Sequence, residues 1–247
     1  MLSPGEGESL DDLAHGLRVL QRRRGHRSAT DDVLAAWSAV EAKPEVARVL
    51  DLGCGHGTVT LLLSGIFPQA NFVSVEVQEI SYALLGRNIR LNELEERVRP
   101  ILCDLRTLSL EDRFDLVTGT PPFMPLGSGI LPQDPQRAAG RFELRGGIED
   151  YLAAGSRHLA PEGRISLLMD GAQDARCRAA FGAAGLQLYS TCLFVPRPGR
   201  AVRYRAYIGG RSPAVSVTSE QQILVREEDG SYSEAMVGLR RAVGVAS

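Results

Sequence analysis

With 247 residues, 44% of them hydrophobic and 23% charged, the chain suits one large α/β domain of ordinary globular make-up. No apolar run approaches the roughly 20 residues that span a bilayer, and the polar, acidic opening MLSPGEGESLDD is no signal peptide. A formal net charge of −2 is not that of a general nucleic-acid binder. Cys54, Cys103, Cys177 and Cys192 form no C-x-x-C pair, and the four histidines show no ligand spacing. Reduced thiols, no metal and a cytoplasmic location are therefore expected.

Charge is uneven along the chain. Arg18, Arg22, Arg23, Arg24 and Arg27 lie within ten residues, and Arg197, Arg200, Arg203, Arg205 and Arg211 form a second cluster. Such clusters supply phosphate contacts in a near-neutral protein, or serve as solvated faces.

In chain order, residues 1–12 read as a loose tail, followed by a short apolar-periodic piece over 13–20 and then the first arginine run. Thr30-Asp31-Asp32 opens a helix, with Thr30 as N-cap and Val33, Leu34, Trp37 and Val40 on its buried face. Strands are expected at 48–52, 71–76, 98–102, 114–119, 163–169, 186–195 and 202–208. Helices are expected at 58–67, 78–92, 147–158 and 173–184. Five strands separated by crossover-length connections imply a parallel sheet. The short 196–201 connection makes the last two strands an antiparallel hairpin. The resulting fold class is α/β, a Rossmann-like, seven-stranded, mostly parallel sheet with a terminal antiparallel hairpin and helices on both faces. A single domain is expected over 1–247: a helical and basic segment to residue 44, a core over 45–210, and an extension over 211–247. That extension holds a short strand near 222–226, a turn at Glu228-Asp229-Gly230 and a closing helix.

The first core strand runs into Asp51-Leu-Gly53-Cys-Gly55-His-Gly57 and then a helix. Glycines here admit positive φ and let a ligand approach the backbone. Their spacing is G-x-G-x-G, not the dinucleotide G-x-G-x-x-G. Asp51 stands where a pyrophosphate would be repelled and the ammonium of a methionine moiety welcomed. Glu76, with Val77, ends the second strand, where a carboxylate accepts ribose hydroxyls. Asp104 and Leu105 follow the third strand, where a side-chain acceptor meets an adenine amino group. Together these residues point to S-adenosyl-L-methionine as cofactor.

The fourth strand leads into Thr120-Pro121-Pro122-Phe123. Two prolines stiffen the loop, remove two backbone donors and leave carbonyl oxygens free as acceptors. Hydrogen bonds from an amino group to the Thr120 oxygen and a loop carbonyl favour a pyramidal nitrogen, and Phe123 offers a stacking face. No strong general base is evident. Leu126-Gly127-Ser128-Gly129 suggests a loop able to close over an acceptor.

The Thr-Pro-Pro-Phe segment resembles the Asn-Pro-Pro-Tyr/Phe motif of amino methyltransferases. The order of motifs resembles bacterial enzymes that methylate N6 of adenine in the anticodon loop of a valine tRNA. Gln21, Gly25, Arg27, Asp31, Leu34 and Ala35 match that family's opening pattern. Arg137, Arg141 and Glu143 resemble its polar stretch after the catalytic loop. Pro198 to Arg205 resembles its late basic hairpin, and Glu228 to Ser233 its D-G-x-Y-S signature. Thr120 departs from the family's Asn. The resemblance implies a methyltransferase acting on RNA, with Thr120, Pro121, Pro122 and Phe123 at the acceptor. Asp51, Gly53, Gly55, Gly57, Glu76, Val77, Asp104, Leu105 and Thr120 then surround the cofactor, and Arg24, Arg27, Arg141, Arg200 and Arg203 are candidates for RNA phosphates. The alternatives are a protein-amide or small-molecule methyltransferase, a cofactor-binding protein without activity, and a nicotinamide oxidoreductase.

Overall fold

The computed structural model describes residues 3–211 and 219–246. Its core strands are β3 (Arg48–Leu52), β4 (Asn71–Glu76), β5 (Val98–Leu102), β6 (Phe114–Gly119), β7 (Leu159–Asp170), β8 (Gln187–Val195) and β9 (Tyr204–Gly210), preceded by β1 (Glu8–Asp12) and β2 (Arg18–Arg22). The helices are α1 (Thr30–Ala42), α2 (Thr58–Ile66), α3 (Glu79–Leu91), α4 (Pro135–Arg141), α5 (Ile148–His158), α6 (Asp174–Ala183) and α7 (Glu234–Ala242).

Runs such as RVLDL and NFVSVE are apolar on both faces because the sheet is covered on both sides. Successive side chains point to opposite faces of a strand. Val49, Phe72 and Leu116 therefore join one core with Leu34, Trp37 and Leu61. Their neighbours Leu50, Val73 and Val117 join the other, with Tyr151, Leu152 and Phe181.

The sheet has eight strands where seven are expected. The additional one, β10 (Ser219–Leu224), pairs in parallel with β8 at the edge, giving the order β10-β8-β9-β7-β6-β3-β4-β5. The expected hairpin is present, with β9 antiparallel to both β7 and β8. Strands β3, β4, β5, β6 and β7 pair in parallel. Because β4 and β5 lie to one side of β3 while β6 and β7 lie to the other, the connections diverge above β3 and β6. In open α/β sheets this is where ligands bind.

The N-terminal segment departs from expectation. In place of a loose tail and an apolar-periodic piece, β1 and β2 form an antiparallel hairpin, Glu8 facing Arg22 and Asp12 facing Arg18. Five-residue strands with few apolar side chains leave little periodicity to read. The hairpin persists because Asn88 on α3 and Asn92 at its C-cap, four residues on, satisfy its edge. Asn88 Oδ1 accepts from Leu20 N at 2.7 Å, while its Nδ2 donates to the carbonyls of Leu20 (3.0 Å) and His56 (2.8 Å). Asn92 treats Arg18 in the same way, at 2.8 Å in both directions. Helix α1 also starts one residue early. Ala29 is its N-cap, and Asp32 accepts from Ala29 N at 2.8 Å, so Thr30 is the first helical residue. The short α4 was not expected; Asp134 caps it by accepting from Arg137 N at 3.0 Å.

Asn88 thus binds the hairpin, α3 and the glycine loop together at a fully buried point. Each buried polar group stranded by its loss costs about 1–3 kcal/mol. Asn88→Ala should lower unfolding free energy by about 2–4 kcal/mol in a urea titration, whereas an effect under about 0.5 kcal/mol would show the tie to be dispensable.

Candidate cofactor and acceptor site

The cleft above β3 and β6 has a volume of about 1060 Å³ counting its open mouth. Asp51, Gly53, Gly55, Glu76, Val77, Asp104, Leu105, Thr120, Pro121, Pro122 and Phe123 all line it, so residues from four loops meet where the sequence places them. Gly57 does not line it. It is the N-cap of α2 at φ 96°, and a Cβ there would meet Leu85 Cδ1 at 2.6 Å.

The glycine loop is held open from below and from the side. A Cβ on Gly53, at φ 64°, would come within 2.0 Å of the Tyr151 hydroxyl, which lies beneath the loop. Burial and the nearby Glu76 charge push the Tyr151 phenol well above its ordinary range, so it stays protonated and available to donate. From the side, Glu76 Oε2 accepts from Gly55 N at 2.9 Å, while Oε1 accepts from Val77 N (2.9 Å) and Gln78 N (2.6 Å). Two carboxylate oxygens offer about four acceptor directions, so Glu76 keeps one for a ligand after fixing the loop. Burial raises its pKa despite these bonds.

Asp51 is 2% exposed. Its Oδ2 accepts from the Thr60 hydroxyl at 2.7 Å, and Thr60 in turn meets the Ser74 hydroxyl at 2.8 Å. Burial, reinforced by the Glu76 charge, lifts the Asp51 carboxyl to about 7. Asp32, on the cleft wall, is raised by burial and by Asp31. Carboxyls held in this state, with no ion pair to Asp51, Glu76 or Asp32 among the described residues, fit a ligand that brings positive charge and hydroxyl donors. They do not fit a pyrophosphate. Asp104 is different: Arg106 grips it, with Nη2 2.6 Å from Oδ2, and that pairing holds its pKa low while the residue still faces the cleft.

At the acceptor end, Thr120 Oγ1 is buried and has no hydrogen-bond partner among the described residues. Phe123 leans on Tyr204, ring centroids 5.4 Å apart at 47°, and the Arg203 guanidinium lies 5.1 Å from the Tyr204 ring centre. The basic hairpin therefore reaches the acceptor loop through Tyr204, a link that no motif announced.

None of the five candidate phosphate arginines lines the cleft. Arg27 bonds the hairpin, donating to Ser9 Oγ (2.9 Å) and Asp11 Oδ2 (3.2 Å). Arg24 lies in a separate groove between that hairpin and α3. Arg141 ends α4 and Arg200 sits on the β8–β9 connection, both exposed; Arg203 pairs with Asp170 at 3.1 Å. The arginine that lines the cleft is Arg145, which has no ion pair among the described residues. His26, His56 and Tyr151 line it too, and sequence reasoning missed all four. Tyr151 was hidden in the apolar period of α5, and Arg145 in an irregular loop. Burial drops His56 to about 3, so it stands as a neutral wall residue whose Nε2 lies 3.0 Å from the Thr58 hydroxyl.

Comparison with known proteins agrees with this geometry. A family model described as a methyltransferase domain matches residues 49–127, the stretch from β3 through the acceptor loop. A Tolumonas auensis protein named tRNA1(Val) (adenine(37)-N6)-methyltransferase is 28% identical over 221 residues, covering 89% of this chain and 90% of the relative. A Porphyromonas gingivalis protein of the same name is 32% identical over 163 residues, 62% of this chain and 63% of the relative. Among solved structures, a protein described as a predicted O-methyltransferase from Agrobacterium tumefaciens superposes with a TM-score of 0.61 at 17% identity, covering 87% of this chain and 97% of that one. A ribosomal protein L11 methylase from Lactobacillus delbrueckii does so with 0.52 at 15% identity, covering 74% and 78%. These structures share the fold. The chain is a Rossmann-like S-adenosylmethionine-dependent methyltransferase that resembles the bacterial valine-tRNA adenine-N6 methyltransferases.

Proposed function

We propose that the chain methylates the N6 amino group of an adenine in tRNA. The observation that carries this reading is the buried, partnerless hydroxyl of Thr120, next to Phe123 in the lining of a cleft that also holds buried carboxylates. The substrate named for the Tolumonas auensis relative, aligned over nine-tenths of its own length, supports the same choice.

S-adenosylmethionine supplies a methyl group already activated on a positively charged sulfur. The protein's task is then placement. Asp51 and Glu76 would hold the ammonium and ribose hydroxyls, and Asp104 with Leu105 would border the adenine. An exocyclic amino nitrogen is a weak nucleophile because its lone pair is delocalised into the ring. Thr120 Oγ1 accepts one of its N–H bonds and a proline-loop carbonyl the other, which localises the lone pair on the nitrogen. Phe123 stacks on the flipped-out base, a contact worth about 1–3 kcal/mol. With the cofactor bound, the chemistry it would supply is transfer of its activated methyl to that nitrogen, and the protein's part would be to hold the nitrogen in line and leave its proton to water. Orienting the two centres supplies most of the acceleration. Arg145 on the cleft wall, with Arg24, Arg141, Arg200 and Arg203 outside it, provides phosphate contacts, while Arg27 is committed to the hairpin. A tRNA substrate also fits a cytoplasmic enzyme with four free cysteines.

The direct test incubates the protein with methyl-labelled cofactor and an extract from cells lacking the gene. Label in small RNA that digests to N6-methyladenosine supports the reading; label in protein or metabolites moves the acceptor. With tRNA, binding should weaken steeply between 50 and 200 mM salt, whereas a flat salt profile would remove the arginines from the interface. Phe123→Ala should keep cofactor affinity and lower turnover by about 10–100-fold. Asp51→Ala and Glu76→Ala should abolish cofactor binding in calorimetry.

Binding should also follow the ionisation of Asp51. Its pKa of about 7 lies above the ordinary carboxylate value, so the empty site holds a proton at low pH that must leave before the ammonium can pair. Affinity for S-adenosylmethionine should therefore fall as pH drops, by about tenfold from pH 7 to 5.5. Asp51→Asn should bind weakly and lose most of that slope; a full slope in Asp51→Asn would place the titrating group elsewhere.

A further inference from the structure

The acceptor loop is fastened by atoms that lie outside the cleft. The Phe123 carbonyl accepts from Gln173 Nε2 at 2.7 Å. Gln173 closes the short 3-10 turn after β7, which Asp170 caps by accepting from Ala172 N at 2.9 Å. The other end of the same amide, Oε1, accepts from Arg176 Nη1 at 2.8 Å. This fixes which way the amide faces, because a flipped amide would turn its N–H groups toward a guanidinium that can only donate. Arg176 is itself held on two sides. It donates to Glu143 at 2.7 and 3.0 Å and to Glu149 at 2.7 and 2.6 Å. Gly147 leaves room for this arrangement, since a Cβ there would lie 2.7 Å from both Arg176 Nη2 and the Glu143 carboxyl carbon. The segment carrying Glu143 grips the next residue of the loop as well: Met124 N donates to Arg141 O at 2.9 Å, and Glu143 N donates to Met124 O at 3.0 Å. All of these bonds leave Thr120 Oγ1 free.

We propose that Gln173 is a positioning residue for methyl transfer. Through the Phe123 carbonyl it sets the aromatic platform and the Thr120–Pro122 oxygens against the cofactor cleft, and Arg176, pinned between Glu143 and Glu149, sets the amide. This rests on the reading of 120–123 as the acceptor loop. One neutral hydrogen bond contributes little net stability. A displacement of about 1 Å at a reacting centre, however, costs about 100-fold in rate. The effect of Gln173 therefore belongs in turnover and loop order, not in folding.

Gln173→Glu separates these possibilities. It keeps the size of the side chain and its contact with Arg176, but sets an acceptor oxygen against the Phe123 carbonyl. Hydrogen exchange followed by mass spectrometry should show the Met124 amide, which donates to Arg141 O, exchanging about tenfold faster or more, with 51–60 unchanged. The melting temperature should hold within about 3 °C, and the Kd for S-adenosylmethionine within about twofold. With the acceptor that the wild type methylates, kcat should fall about 10–100-fold at unchanged KM for the cofactor. Gln173→Asn, which retains an amide donor on a shorter arm, should recover part of that loss. Unchanged exchange in the loop, normal kcat despite faster exchange, or a turnover loss that tracks melting temperature and cofactor affinity would each overturn the proposal. A wild type that leaves tRNA unlabelled would sink the functional reading, while the exchange comparison would still decide whether Gln173 clamps the loop.

Discussion

The Glu76 carboxylate is almost completely buried, and by accepting three backbone N–H groups it joins the glycine loop, the end of β4 and the approach to α3. A carboxylate can sit in so dry a place only where donors surround it. Here the donors are the backbone atoms that must be held for the cleft to keep its shape. The Glu76 carbonyl continues the tie by accepting from Cys103 N at 3.0 Å, which sets the loop after β5 beside it. One residue thus links the ends of three neighbouring strands, and the cofactor is offered a preformed surface.

Electrostatics then choose the ligand. Asp51, Glu76 and Asp32 lie in one cleft with their pKa values raised by burial, and Arg145 is the nearest uncommitted cation. A pyrophosphate entering this cleft would add negative charge where the protein already resists its own. A ligand with an ammonium, a sulfonium and two ribose hydroxyls instead lets the carboxylates ionise, so binding and deprotonation favour each other.

Much of this was legible in the sequence because it rests on strict local requirements. Glycines at positive φ, a proline pair after a strand and a carboxylate at a strand end each leave few substitutes, and the parallel core followed from apolar runs alternating with helical periods. What was not legible depended on partners far away in the chain. The β1–β2 hairpin is satisfied by Asn88 and Asn92, more than 60 residues on, so its own five-residue strands carry little signal. Strand β10 reads as an appendage until β8 offers it a parallel edge. The arginine clusters misled in a particular way: charge density in sequence does not say which guanidiniums are already paired. Arg22, Arg27 and Arg205 are bound to carboxylates, whereas Arg145, outside both clusters, faces the cleft.

Thr120 concentrates the remaining demand on geometry. An asparagine amide at this position would reach further toward an amino group and present a carbonyl oxygen that only accepts. A threonine hydroxyl is one bond shorter, accepts and donates, and hangs on a branched Cβ whose χ1 has few choices. Under the proposed function it could not adjust to a misplaced base by swinging, so the loop that carries it would have to bring the oxygen to the nitrogen. The Gln173 bond to Phe123, the two backbone bonds to Met124 and the Tyr204 ring against Phe123 are the contacts that hold this loop. A short, stiff acceptor on a firmly held loop meets the same geometric requirement as a longer acceptor on a looser one. The exchange of asparagine for threonine is therefore compatible with amino-group methylation so long as the loop's anchors outside the cleft remain in place.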